Sequence, residues 1–147
     1  MDRWIDGWHS PSLNRYMDIV TYGHFGFPVL LFPTAAADFL EYERFHLIDA
    51  IRDVIEAGKV KVFSINSINR DAWLNKQVHT RDKGLRQAAY NDYITREVVP
   101  YIWNSCRGRT GVITSAADSF QIRMFGRGAH GSMPQASIDR PRSLEGN

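Results

Sequence analysis

The sequence predicts an α/β fold, with a mostly parallel sheet and flanking helices. The evidence is a short apolar run at residues 28–32, an amphipathic helical pattern after it, and a second apolar run at residues 59–65. A strand that is apolar on both faces is typical of a parallel sheet covered by helices. Strand, helix and strand in this order form a βαβ unit, whose two strands run parallel.

The composition is that of one globular domain. The chain has 147 residues, of which 44% are hydrophobic and 23% charged, and its formal net charge is +2. Basic residues are scattered along the chain, which argues against nucleic acid or an anionic membrane surface as a partner. Cys106 is the single cysteine, so an intramolecular disulfide and a cysteine-rich zinc site are excluded.

The sequence favours a protein that is neither exported nor inserted in a membrane. Acidic residues stand at positions 2 and 6, where a signal peptide carries basic ones, and no apolar segment follows them. The longest apolar stretch, residues 25–32, is far shorter than the roughly 20 residues that span a bilayer. We therefore expect a cytoplasmic protein with no membrane partner.

The remaining elements follow from periodicity. Residues 16–22 alternate imperfectly, which predicts an edge strand with one face partly exposed. A helix is predicted from Asp38 to a C-terminal cap at Gly58, with apolar residues at helical spacing: Leu47, Ile48, Ile51, Val54 and Ile55. Residues 81–104 predict a long helix in which Pro100 kinks or limits the last turn. Residues 119–125 predict one further strand, and residues 140–147 an unstructured tail.

Five segments of the first 107 residues carry a family resemblance. Residues 8–13, 22–24, 28–34, 41–43 and 97–102 together resemble the putative-esterase branch of the α/β-hydrolase superfamily. The resemblance implies a truncated α/β-hydrolase domain over residues 1–107 and a small-molecule carboxylic ester as substrate. Acyl transfer through a serine, the chemistry of that family, uses no cofactor and no metal ion.

The loop after the first apolar strand matches the oxyanion loop of that family. By this resemblance Thr34 and Ala35 supply backbone N–H groups to the oxyanion of a tetrahedral intermediate. The alternative is that Pro33 and Thr34 only end a strand. The sequence leaves both interpretations open.

The nucleophile elbow of the family has no full match. The chain contains no G-x-S-x-G motif, and the nearest register aligns Ser119 with the serine while both glycines are replaced. His130 is the only later histidine, and no acidic residue lies between it and Ser119. The candidate catalytic residues are therefore Ser119 and His130, without the acid that completes a triad.

A second resemblance covers the end of the chain. Residues 117–122, 126–135 and 138–139 resemble a segment from the lid or dimerisation domain of metal-dependent amidohydrolases of the M20 type. In that family the histidine matched by His130 reaches a substrate site. The His-x-Asp motif of the metal-binding half of that family is absent. These features predict a chimera joined near residues 107–112, with an amidohydrolase-like segment at residues 108–139.

Three functional hypotheses follow. The first is a carboxylic-ester hydrolase with an incomplete active site. The second is an inactive chimeric fragment that self-associates through an exposed sheet edge, because missing strands leave backbone groups unpaired. The third is an M20-like amidohydrolase fragment.

Other residues have simpler interpretations. We interpret His24 as a turn residue and Cys106 as an incidental thiol that lacks an activating base. Carboxylates near the start of the first helix are explained by its N-terminal dipole, and four aromatic residues are expected to cover the core. The carboxylates are Asp38, Glu41 and Glu43, and the aromatic residues are Trp4, Trp8, Tyr16 and Tyr22.

Overall fold

A computed structural model describes residues 1–34, 37–68 and 80–106, together with the backbone of two later strands. All six strands of this part of the chain form one sheet, in the order β1-β2-β4-β3-β5-β6. The strands are β1 (Arg3–Ser10), β2 (Arg15–Tyr22), β3 (Phe27–Leu31), β4 (Val60–Ile65), β5 (Gly111–Ala116) and β6 (Ser119–Gly126).

The sheet is mixed, whereas the sequence predicted a mostly parallel one. Strand β3 runs parallel to β4, as expected for the two apolar runs, and also to β5, a strand that the sequence analysis did not predict. The pairings β1–β2, β2–β4 and β5–β6 are antiparallel. Short connections explain the β1–β2 and β5–β6 pairings, because strands joined by so few residues can pair only in an antiparallel way.

Strand β2 lies inside the sheet, which corrects its prediction as an edge strand. It is paired with β1 on one side and with β4 on the other. Its alternation is imperfect because both faces are covered, so that Ile19 and Val20 are both fully buried. The edge is formed instead by β1, a strand that the periodicity did not indicate.

The helix predicted from Asp38 to Gly58 is broken into three short ones, α1 (Glu41–Arg44), α2 (Leu47–Ala50) and α3 (Arg52–Glu56). The chain bends at His46, whose φ of 60° lies in the left-handed region. Gly58 forms the cap expected of it, with a φ of 70°. The Gly58 N–H donates to Ile55 and the Lys59 N–H to Val54, which is a Schellman motif.

The long helix predicted at residues 81–104 is present as α4 (Thr80–Tyr93), a π-helical turn (Ile94–Val98) and α5 (Val99–Ser105). Pro100 cannot donate the amide hydrogen bond to the residue four positions earlier. The hydrogen-bonding register changes in the turn immediately before this proline. In the following text, α4, the π-helical turn and α5 together are called the long helix.

The sheet lies between two helical layers. One core cluster packs the long helix on one face, and a second packs the short helices on the other. Neighbouring residues of a strand point to opposite faces, so Leu30 and Phe63 belong to the first cluster, while Leu31 and Val62 belong to the second. Within the described residues, no helix is both long and apolar enough to cross a membrane.

Gly26 allows β3 to begin close to β4. Its φ is 129°, and a Cβ atom placed on it would lie 2.4 Å from the backbone nitrogen of Val60. We expect Gly26→Ala to lower the free energy of unfolding by about 3 kcal/mol, from backbone strain and overlap together. Chemical denaturation followed by circular dichroism measures this loss.

Gly84 provides the matched control, because it lies in α4 and a Cβ atom there meets nothing within 4 Å. Gly84→Ala should raise the free energy of unfolding by about 0.5–1 kcal/mol, since alanine favours the helix. Equal effects of the two substitutions would contradict the role assigned to Gly26.

Candidate functional site

The carboxyl ends of the three parallel strands lie at one edge of the sheet. Leu31 at the end of β3 is paired with Ser64 of β4 and with Ser115 of β5. Residues 32–34 leave β3 at this edge, and Asn66 follows β4 there. In open α/β sheets, ligands bind outside the carboxyl ends of the strands. We therefore call this edge the candidate active edge.

A buried carboxylate holds the loop that leaves β3. The Thr34 N–H donates to Oε2 of Glu41 over 2.6 Å, and the Thr34 hydroxyl donates to Oε1. Glu41 opens α1 but is only 2% exposed, so its carboxylate faces the loop. Sequence analysis attributed Glu41 to the helix dipole and missed this pairing, because the six residues between the partners show no periodicity that links them.

Further contacts from both helical layers hold the segments that follow β3 and β4 at this edge. The Tyr42 hydroxyl donates to the carbonyl oxygen of Phe32. Asn66 is held by the Tyr90 hydroxyl, which donates to its carbonyl over 2.7 Å, while its side-chain oxygen accepts from the Phe39 N–H over 3.0 Å. The loop is therefore braced before any ligand binds, as a preorganised site requires.

The predicted oxyanion donor already has an acceptor. Because the Thr34 N–H donates to Glu41, it can donate to an oxyanion only after that carboxylate moves. Ala35, the second predicted donor, lies outside the described residues. The oxyanion role of Thr34 and Ala35 stays a prediction.

The backbone of Ser119 lies at the candidate active edge. Ser119 opens β6 and is paired with Ala116, the last residue of β5. The chain returns at this point as an antiparallel strand, whereas a nucleophile elbow leads from a strand into a helix. His130 lies outside the described residues, so the pairing of Ser119 with His130 stays a prediction.

A second carboxylate, which is partly buried, joins two of the segments that carried the esterase resemblance. Glu97, in the π-helical turn, accepts from Trp8 Nε1 and from the Ser10 hydroxyl, each over 2.8 Å, and from the Ser12 N–H over 3.3 Å. Burial by itself would raise the pKa of Glu97, but these hydrogen bonds outweigh it and lower the pKa. Glu97 thus links the β1–β2 hairpin to the long helix by hydrogen bonds.

The carboxylates near α1, which the sequence analysis attributed to the helix dipole, each have a partner of their own. Asp38 lies 2.8 Å from Arg44, while Glu43 lies 2.5 Å from Arg3 and accepts from the Tyr22 hydroxyl. The Arg3 hydrogen bond is the main reason that the pKa of Glu43 is lowered. Burial, followed by the bond to Glu43, raises the pKa of Tyr22 far above its ordinary value.

The four aromatic residues expected to cover the core divide into two groups. Tyr22 is buried, and Trp8 packs on Tyr101 with ring centroids 5.1 Å apart. Tyr16 is 60% exposed, which corrects its prediction, and Trp4 is also exposed. The Tyr16 ring packs over Gly7 instead of in the core. It occupies the space that a side chain at Gly7 would need.

The two remaining candidates, His24 and Cys106, lie away from the candidate active edge. His24 is exposed in the bend before β3, and Cys106 is buried just after α5. Among the side chains that the structure describes, no three His, Cys, Asp or Glu residues cluster closely enough to hold a metal ion.

Comparison with solved structures supports the fold. An IroE-like serine hydrolase from Shewanella oneidensis aligns over 77% of this chain with a TM-score of 0.53 and 14% identity. An uncharacterised protein from Capnocytophaga ochracea (TM-score 0.48, 19% identity, 77% of this chain) and S-formylglutathione hydrolase from Staphylococcus aureus (0.38, 14%, 65%) align less closely. The chain spans 42%, 33% and 41% of these proteins, respectively.

The first of these alignments shows that part of the chain has an α/β fold similar to that of this serine hydrolase. No protein-family model and no curated protein matched the sequence. The M20 resemblance and the chimera therefore have no support from these comparisons. The boundary at residues 107–108 stays a prediction, and the backbone of β5 pairs with β3 of the preceding region.

The Glu97 cluster yields a stability prediction. Glu97→Gln should lower the free energy of unfolding at neutral pH by about 1–2 kcal/mol, because it weakens hydrogen bonds to a charged acceptor. The folded-state pKa is lowered, so this contribution is present above the unfolded value of about 4.3 and is lost as pH falls through the folded value. Denaturation at about pH 7 and about pH 3 should show the difference from wild type shrinking at the lower pH.

Asp92→Asn is the control on the same helix, since the Asp92 side chain forms an exposed pair with Arg96 at 3.9 Å and no other pair within the described part of the chain. Its effect should stay within about 0.5 kcal/mol at both pH values. A difference between Glu97→Gln and wild type that does not change with pH would contradict the charged state assigned to Glu97.

Proposed function

We propose that the chain carries a site for the hydrolysis of carboxylic esters at the candidate active edge. The observation that carries this proposal is that the loop after β3 and the carboxyl end of β5 lie side by side in a fold similar to that of a serine hydrolase. In α/β hydrolases these two positions supply an oxyanion donor and the nucleophile.

The proposed reaction is acyl transfer through Ser119. The serine oxygen attacks the ester carbonyl while His130 takes the hydroxyl proton, which gives a tetrahedral oxyanion. Collapse of that intermediate releases the alcohol, which receives the proton from His130, and leaves an acyl-serine. Water activated by His130 then attacks the acyl-serine, so that a carboxylic acid is released and Ser119 is restored.

The oxyanion would bind at backbone N–H groups of the braced loop. In this proposal Thr34 and Ala35 donate to the developing charge, and the Thr34 N–H exchanges the Glu41 carboxylate for the oxyanion. That exchange costs the enzyme a charge-assisted hydrogen bond. Together with the missing triad acid, it predicts slow turnover.

Hydrolysis of p-nitrophenyl butyrate by the purified chain tests the proposal. We expect a slow rate above the buffer reaction, because the lack of a triad acid lowers kcat by roughly 10⁴, which is less than the loss caused by removal of the serine. Ser119→Ala should remove it, since no oxygen nucleophile remains. Release of p-nitrophenolate, followed by absorbance, measures the rate.

Cys106→Ala is the control, because it removes the other candidate nucleophile while Ser119 is retained. Its rate should equal that of wild type. A rate that survives Ser119→Ala, or a wild-type rate equal to that of buffer, would reject the proposal.

We also propose that two copies of the chain associate through β1. This strand is paired on one side only in the described part of the chain, and its residues Trp4 and Ile5 are exposed. An unpaired strand edge presents N–H and C=O groups that a second copy can pair with, and two such edges join antiparallel about a twofold axis.

Analytical ultracentrifugation tests this association. Wild type should form a dimer, and Ile5→Lys should shift it to monomer, because a lysine at the edge repels its counterpart in the second copy. Val54→Lys, on an exposed position of α3 away from this edge, should leave the dimer intact. A monomeric wild type would rule the association out.

A further inference from the structure

A cavity of about 560 Å³ lies at the amino ends of the parallel strands, opposite the candidate active edge. The ester-hydrolase proposal does not use this cavity. It lies where β3 and β4 begin and where the long helix ends. The described residues that line it include His24, Phe25, Gly58, Lys61 and Cys106.

Lys61 is the charged group of this cavity. It is the second residue of β4, and its side chain lies on the sheet face that the long helix covers, so it is only 6% exposed. Its ammonium nitrogen donates to the carbonyl oxygen of Ser105 over 3.0 Å. It also lies 4.9 Å from the centre of the Trp4 ring and 5.9 Å from that of Phe63.

No carboxylate neutralises this cation within residues 1–34, 37–68 and 80–106. An ammonium group has three N–H donors, and the Ser105 carbonyl takes one of them. The carbonyl at the end of a helix and two aromatic faces offer only partial negative charge. A cation that is removed from water needs an anion or further acceptors, and the adjoining cavity has room for a ligand that supplies them.

The other lining groups indicate what kind of anion fits. A single ammonium group matches a single negative charge. The rest of the described wall includes the Phe25 ring and the small residues Ala57 and Gly58, with the His24 ring next to Gly58. Such a wall accommodates a compact apolar body, whereas an ion such as phosphate would need several donors around it.

We propose that this cavity binds a small monocarboxylate with an apolar body, whose carboxylate is bound by the ammonium group of Lys61. The site is separate from the candidate active edge, because it lies at the amino ends of the same parallel strands. It therefore does not depend on Ser119 or on ester hydrolysis.

Benzoate serves as the probe, with calorimetry and thermal unfolding at constant ionic strength as the measurements. Benzoate should bind saturably and raise the melting temperature of the wild-type chain, because a ligand that binds only the folded state stabilises it. Benzyl alcohol, which has the same ring without the charge, should bind at least about tenfold more weakly. Equal affinities, or no binding of benzoate, would overturn the proposal.

Two lysine variants locate the binding. Lys61→Met keeps the length of the side chain but removes the charge, and it should abolish the response to benzoate. Lys59→Met removes an exposed lysine two residues earlier and should respond as wild type does. An undiminished response in Lys61→Met, or inorganic phosphate binding as tightly as benzoate to wild type, would contradict the assignment.

If Lys61→Met does not fold, nuclear magnetic resonance of the wild-type chain decides. Benzoate should shift the ring proton signals of His24, which lines the cavity, and leave those of the exposed His9 unchanged. Binding without a shift at His24 would place benzoate elsewhere and reject the proposed site.

Discussion

Parallel pairing of β3 with β4 supports both layers of the molecule. Leu30 is paired with Phe63 in this ladder, and the two side chains contribute to the core beneath the long helix. Leu31 and Val62 face the opposite way and pack with the short helices. Because both strands are apolar on both faces, neither is stable without its partner and without helices above and below. The loop after β3 and the cavity before β4 are positioned by this same ladder.

The two ends of this parallel ladder carry different chemistry. At the carboxyl end, hydrogen bonds to Glu41 and Asn66 brace the loop that leaves β3. At the amino end, Gly26 brings the chain against β4, and the ammonium group of Lys61 lies beside the end of the long helix. An effect of a ligand bound at one end of the ladder could pass to the other end only through the buried strands. The two ends are therefore independent sites.

Two glutamates link separate elements of this fold by hydrogen bonds, Glu41 buried and Glu97 partly buried. Glu41 joins α1 to the loop after β3, and Glu97 joins the long helix to the β1–β2 hairpin. Each carboxylate accepts from several donors, which offsets the cost of removing a charge from water. Two of the segments that resemble putative esterases, residues 8–13 and 97–102, are brought together by Glu97.

The sequence by itself determined the local elements of this protein. Apolar runs marked β3 and β4, helical periodicity marked the long helix, and Gly58 marked the end of α3, because burial on a face and backbone conformation depend on near neighbours. Only the tertiary structure decided that β2 is interior, that Thr34 is bound by Glu41 and that Lys61 faces a cavity. Periodicity reports that a residue is buried but not what buries it, since the partner is chosen by how distant segments pack together.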